Sequence, residues 1–257
     1  MAFRIRDVFR ILREGGPGHL VRFASERLGS YRSFRRWAQS LPRETPVEDL
    51  VAVVVRRTRG EGQPVYAWQK EAEILALLRR LQPLAPRRIL EIGTAAGGTL
   101  LLLSRVAAAD ALLVSIDMPE GGFGGGYNLL RSGLYRSFAG PGQRIVLIRG
   151  DSHRRAVRER LAAALGGEKL DFLFIDGDHS AAGSRQDFDD YAPFVRPGGW
   201  IAFHDIRPDE RGWSGDVHQV WKELAPRYGG EELVDESGPS GYGIGLLRWP
   251  GPAAALS

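Results

Sequence analysis

From Tyr66 onward the chain alternates between amphipathic stretches and short apolar runs. That pattern predicts a parallel sheet covered by helices on both faces. Five runs read as strands: Arg88 to Gly93, Ala111 to Asp117, Arg144 to Gly150, Leu170 to Gly177 and Gly199 to Asp205. Helical spacing separates them, and one further helix precedes them near Ala67 to Leu81. The tail adds a helix near Val217 to Leu224, a weak strand near Glu232 to Val234 and a clearer one at Tyr242 to Trp249. The expectation is a doubly wound α/β protein with ligands at the carboxyl ends of its strands.

Ahead of this domain, residues 3 to 40 read as two helical pieces broken at Gly15-Gly16-Pro17-Gly18. Leu20, Ala24, Leu28, Tyr31, Phe34 and Trp37 recur at steps of three or four and form an apolar stripe that needs a partner surface. Packing on the main domain or on a second subunit is the first expectation; a basic helix on a membrane or acidic partner and a lid over a substrate pocket are the others. The division expected is a basic helical extension over residues 1–60 and a main domain over 61–257.

Charge sharpens that division. The net charge is +4, yet residues 1–60 hold 13 Lys and Arg against 6 Asp and Glu, or +7, which leaves 4 − 7 = −3 for the rest. The absence of Cys excludes disulfides, thiolate metal sites and cysteine nucleophiles, so any metal would be held by His and carboxylate. No apolar stretch approaches the ~18 residues of a membrane-spanning helix. A cytoplasmic chain without a membrane span is expected, with a homodimer as an open possibility.

The chemistry gathers at the predicted strand ends. In RRILEIGTAAGGT the first strand ends at Glu91, Gly93 turns the chain, and Gly97-Gly98 let a helix start close to a ligand. The loop alone does not separate a dinucleotide from the methionine end of S-adenosylmethionine. The acids around it do more: Glu91 would repel a pyrophosphate but suit a cationic cofactor. Asp117 follows 26 residues later, Asp151-Ser152 ends the third strand, and Asp176 and Asp178 end the fourth, so the acids converge on one crevice.

The motifs EIGTAAGGT, GDSH, FIDGDHS and PGGWIAFHD, in that order over residues 66 to 249, resemble the class I S-adenosylmethionine methyltransferases. They are similar to bacterial small-molecule O-methyltransferases of cephalosporin and macrolide-sugar biosynthesis and to cation-dependent catechol-type enzymes. The resemblance implies a Rossmann-like, seven-stranded, mostly parallel sheet with S-adenosyl-L-methionine as cofactor. It implies that Glu91, Gly93, Thr94, Gly97 and Thr99 surround the methionine part, that Asp117 holds the ribose, and that Asp151 with Ser152 flanks the adenine. Asp176 is grouped with this crevice as well. Ala95 stands where the common loop has a second glycine, as in the cation-dependent subgroup's E-I-G-T-x-x-G variant.

For the acceptor, a sugar, phenol or natural-product hydroxyl, the resemblance implies two devices. Asp176, His204 and Asp205 match the positions that hold a divalent cation such as Mg²⁺, with His204 replacing an acid; alternatively His179 or His204 is a general base. His19, His153 and His218 are expected to serve packing or hydrogen bonding. Asp178 reads equally as a turn residue, and Asp187, Asp189 and Asp190 as a solvated helix face. The glycine-rich loop 120 to 127 and the residues after it suggest a flap in which Tyr127, Arg131 and Tyr135 close over a substrate, with Trp213 as an aromatic wall. An NAD-dependent oxidoreductase is disfavoured because Gly93-Thr94-Ala95-Ala96-Gly97-Gly98 lacks the middle glycine of GxGxxG. Nucleic acid is not an expected partner, because the main domain is acidic and no NPPY-like motif is present.

Overall fold

The computed structural model describes residues 26, 28–42, 44–57, 64–119, 127, 129–210, 212–237 and 240–251. Helix α1 runs over 28–40. Helix α2 (Val47–Val51) continues as a wider-pitched turn to Arg57, and α3 spans Glu71–Leu81. Then β1 (Arg88–Ile92), α4 (Gly98–Val106), β2 (Leu112–Asp117), α5 (Leu129–Arg136), β3 (Arg144–Arg149), α6 (Arg155–Leu165), β4 (Leu170–Ile175), α7 (Ala181–Tyr191) and β5 (Val195–Arg207) alternate. Helix α8 (Val217–Tyr228), β6 (Glu231–Leu233) and β7 (Tyr242–Arg248) complete the order.

The seven strands lie in the order β3-β2-β1-β4-β5-β7-β6. All pairings from β3 to β5 are parallel, and β7 runs antiparallel to β5 and β6. The order reverses between β1, whose neighbours are β2 and β4, and there the crevice of a doubly wound sheet opens. Each strand feeds two cores because side chains alternate across the sheet. Ile89, Leu113, Phe172 and Phe174 pack with α1 to α5, while Leu90, Val114, Leu173 and Phe203 pack with α6 to α8.

The extension does not stand apart over its described part. Tyr31, Phe34, Ala38, Val47, Leu50 and Val51 are buried in the same core as α3 and α4. The Phe34 ring meets Phe138 at 6.4 Å, and Arg105 donates to the Ala38 carbonyl at 2.7 Å. Leu20 and Ala24 of the stripe lie outside the described residues. Among the described residues no helix is long and apolar enough to cross a membrane.

Two elements differ from expectation in ways that matter for the site. Residues 67–70 are not helical; they run extended into α3, so the Tyr66 carbonyl accepts from Gly98 N–H at 3.0 Å. Strand β5 continues past Asp205 to Arg207, and its pairing with β7 shifts between His204 and Arg207. Asp205 itself sits at φ 62°, a left-handed conformation that costs a non-glycine residue about 1–3 kcal/mol and is retained where neighbours enforce it.

Candidate active site

The glycine loop packs directly on the end of β4. At Gly93 (φ 87°) a Cβ would lie 1.9 Å from the Asp176 carbonyl oxygen, and at Gly97 (φ 79°) one would lie 2.5 Å from the Tyr135 ring. Only glycine satisfies both the backbone angle and the space. Gly97 has no side chain to cap α4, and the Gly98 N–H is already given to Tyr66, so the helix presents fewer free donors than its glycine-rich start suggests.

Beneath the loop Glu91 is fully buried and accepts from Thr94 Oγ1 at 2.8 Å. Its Oε1 meets no donor among the described residues. Burial pushes its carboxyl well above the usual range; the Thr94 bond opposes this, and the charges of Asp176 and Asp117 reinforce it. Asp117, at the end of β2, accepts from the Ala95 amide at 2.9 Å and so holds the loop at another left-handed residue (φ 43°). Asp151 ends the β3 turn, half-exposed, and accepts from the His153 amide at 3.0 Å, while the Ser152 carbonyl accepts from Tyr191 at 2.7 Å. Thr99 is buried in the first turn of α4.

The residues expected to form a flap are inside the protein instead. Tyr127, Arg131 and Tyr135 are all buried. The Tyr127 hydroxyl bonds Ser115 and, at 3.0 Å, Thr94; the Tyr135 hydroxyl donates to the Ala95 carbonyl at 3.0 Å. The two tyrosines brace the glycine loop from behind, because large aromatic side chains gain more from burial than from a solvated lid, and Arg131 Nε donates to the Tyr31 hydroxyl at 3.3 Å. Residues 120–126 of that glycine-rich loop lie outside the described residues.

Next to the ends of β4 and β5, Asp176, His179 and Asp205 bring their ligating atoms within 4.8 Å of one another. His179 Nδ1 lies 2.9 Å from the Trp213 carbonyl oxygen, 3.4 Å from Asp205 Oδ2, and its Nε2 lies 3.9 Å from Asp176 Oδ1. Gly215 supports this histidine, since a Cβ there (φ 56°) would lie 2.2 Å from the His179 carbonyl oxygen. Trp213 is 53% exposed beside it.

His204 meets Asp176 and Asp205 from inside the protein. It is 3% exposed, lies between the Phe174 and Tyr242 rings, and directs Nδ1 at Asp176 (3.0 Å) and Asp205 (3.4 Å). Burial alone would lower its pKa, but the Asp205 and Asp176 carboxylates outweigh that and hold it well above the ordinary imidazole value. Asp205 is correspondingly held low: burial opposes this, and the His204 charge prevails. The structure thus brings both histidines to the two carboxylates, and the ligating atoms of His179, Asp176 and Asp205 all lie within 4.8 Å of one another.

Sequence reasoning missed Gln69, 1% exposed, whose Nε2 donates to Asp176 Oδ2 at 2.7 Å and whose Oε1 accepts from Thr99 Oγ1 at 2.9 Å. It also missed Glu73, buried and accepting from the Asp235 and Gly243 amides. A signal existed for Glu73, which stands four and eight residues before Leu77 and Leu81 on the buried face of α3. Asp178 takes the turn role, accepting from Ser180 N–H at 2.8 Å.

Asp187 corrects the reading of α7 as a solvated face there. It is fully buried, with His153 Nε2 at 3.3 Å. Burial pushes its carboxyl from 3.8 up to about 6; Ser152 and His153 oppose the shift, and Asp178 and Asp190 add to it. The native pKa exceeds the unfolded one, so the native state holds a proton that the unfolded chain releases, and stability falls as pH rises from about 4 to about 6. Asp187→Asn should remove this loss: relative to wild type it gains about 2 kcal/mol between pH 4 and pH 7. Urea unfolding at the two pH values checks this, and a pH-independent difference contradicts it.

Residues 90–206 match the protein family described as "Methyltransferase domain". Residues 90–206 thus resemble a methyltransferase domain, and the sheet order above is the Rossmann-like one. Among solved structures it is similar to an O-methyltransferase from Bacillus cereus in complex with SAH, at 17% identity and TM-score 0.53, covering 86% of this chain and 99% of that one. It is also similar to the O-methyltransferase TomG of Streptomyces achromogenes, involved in tomaymycin synthesis and solved with SAM, at 20% identity and TM-score 0.52, covering 82% and 94%. A third is the MycE methyltransferase of mycinamycin biosynthesis, in complex with Mg, SAH and mycinamycin VI, at 17% identity and TM-score 0.52, covering 80% and 56%. The y4gI protein of Sinorhizobium fredii is 27% identical over 172 residues, 65% of this chain; the chain spans only 17% of that relative's length.

Proposed function

We propose that this chain transfers the methyl group of S-adenosylmethionine to a hydroxyl of a small molecule, a sugar, phenol or other natural product. The observation that carries the reading is the meeting of Asp176, His179 and Asp205 at the crest of β4 and β5, on the strand end against which the cofactor loop packs. Methyl transfer is an in-line displacement, so the site must align the acceptor oxygen and relieve it of its proton. The TomG and MycE resemblances favour an acceptor of natural-product size.

Two carboxylates and one imidazole suit a divalent cation of the Mg²⁺ to Mn²⁺ range, and Mg is named in the MycE complex. A cation there would supply Lewis acidity toward the acceptor hydroxyl. The chain's own part is to orient the donors. The Trp213 carbonyl can only accept, so His179 in its neutral form carries its proton on Nδ1 and its acceptor function on Nε2. His204 fixes both carboxylates from below through Nδ1.

A metal-free reading has its own support: protonated His204 already compensates Asp176 and Asp205, which leaves His179 Nε2 to take the acceptor proton. Methyl-transfer assays with a chelator separate the two. Activity lost in chelator and restored by Mg²⁺ or Mn²⁺ supports the cation, and activity kept in chelator but lost in His179→Ala supports the base. Full activity under both conditions overturns the assignment of this cluster.

A further inference from the structure

The Gln69 amide lies between the two halves of the site, and its partners fix which way it faces. A carboxylate only accepts, so the amide nitrogen must face Asp176 (2.7 Å); the amide oxygen therefore faces Thr99 (2.9 Å), and the Thr99 hydroxyl must spend its proton on it. A hydroxyl whose hydrogen is spent can serve a second partner only as an acceptor. Thr99 stands in the first turn of α4, directly after the glycine loop. At that point it can accept from an ammonium and has nothing to donate to a carboxylate or phosphate.

The geometry points to Gln69 as a positioning residue that sets the hydrogen-bond polarity of Thr99 toward the cofactor's ammonium group while it holds the Asp176 carboxylate oriented for the acceptor. One buried amide thus orients both ends of the reaction without touching the reacting atoms. The role is fixed from outside the βα units: Gln69 belongs to the extended segment before α3, which Tyr66 and Gly98 tie to the start of α4. The inference rests on the assignment of Asp176 to the acceptor end.

Variants of the full chain test it: Gln69→Leu, Gln69→Glu, Thr99→Val, the Gln69→Leu/Thr99→Val double variant and Asp176→Asn, with S-adenosylhomocysteine affinity measured by calorimetry beside kcat and KM. Gln69→Leu should weaken S-adenosylhomocysteine by about tenfold and lower kcat by about tenfold or more, as expected for hydrogen bonds to charged groups. Gln69→Glu keeps an acceptor for Thr99 but loses the donor to Asp176, so affinity should stay within about threefold of wild type while kcat falls as in Gln69→Leu. Adding Gln69→Leu to Thr99→Val should cost affinity no more than about twofold further, because both remove one contact.

Wild-type affinity and kcat in Gln69→Leu overturns the inference, as does equal loss of affinity in Gln69→Leu and Gln69→Glu, or multiplicative losses in the double variant. If Gln69→Leu does not fold, the Gln69→Glu and Thr99→Val results decide alone. Asp176→Asn separates this inference from the reading beneath it. An inactive Asp176→Asn beside a wild-type Gln69→Leu overturns the inference alone, and a fully active Asp176→Asn overturns the assignment of Asp176.

Discussion

Asp176→Asn should lower kcat by roughly 10² to 10⁴ with a much smaller change in cofactor affinity. The carboxylate is pinned on both oxygens: Oδ1 accepts from His204 at 3.0 Å and Oδ2 from Gln69 at 2.7 Å. Asparagine keeps the shape but loses the charge, and its amide would present a donor to His204 or to Gln69, both of which already donate. The variant thus disables the acceptor end in either reading, by removing a cation ligand or by misplacing His179 and Asp205. Single-turnover kinetics alongside S-adenosylhomocysteine binding measures the split, and unchanged turnover contradicts it.

Much of the frame of this site was legible in the chain because the physics there is local. Apolar runs that stop at Glu91, Asp117 and Asp176 mark strands ending at a ligand crevice, and the structure ends β1, β2 and β4 at or within one residue of them. Gly93 was legible for the same reason, since a turn against a neighbouring strand end tolerates no Cβ.

What escaped depends on contacts between distant segments. His179 and His204 looked alike as strand-end histidines; the burial of His204 and the Trp213 carbonyl beside His179 distinguish their surroundings. Tyr127, Arg131 and Tyr135 followed a glycine-rich stretch and suggested a lid, yet their burial, the tyrosines on the glycine loop and Arg131 beside Tyr31, is set by tertiary packing. Gln69 shows the same limit most clearly, because its partners are 30 and 107 positions away.

Asp117→Ala should weaken S-adenosylmethionine or S-adenosylhomocysteine by at least about tenfold, since each hydrogen bond from a ribose hydroxyl to a carboxylate is worth ~1.5–3 kcal/mol. A second effect adds to the first. Asp117 Oδ2 also holds the Ala95 amide at 2.9 Å, so its removal releases the strained turn of the glycine loop. The effect should fall on affinity for the adenosyl cofactor and spare kcat at saturating donor far more than Asp176→Asn does. Equal affinity in wild type and Asp117→Ala would place the ribose elsewhere.

The central claim is that the crevice at the carboxyl ends of β1, β2 and β4 takes a sulfonium nucleoside and not a dinucleotide. Glu91, buried beneath the glycine loop with an Oε1 that meets no donor among the described residues, favours a cationic ligand over a pyrophosphate. Calorimetric titration of the full chain with S-adenosylhomocysteine and, separately, with NAD tests this directly. The predicted result is saturable one-to-one binding of S-adenosylhomocysteine, about tenfold or more tighter than any binding of NAD. Tighter binding of NAD, or no binding of S-adenosylhomocysteine, would contradict it.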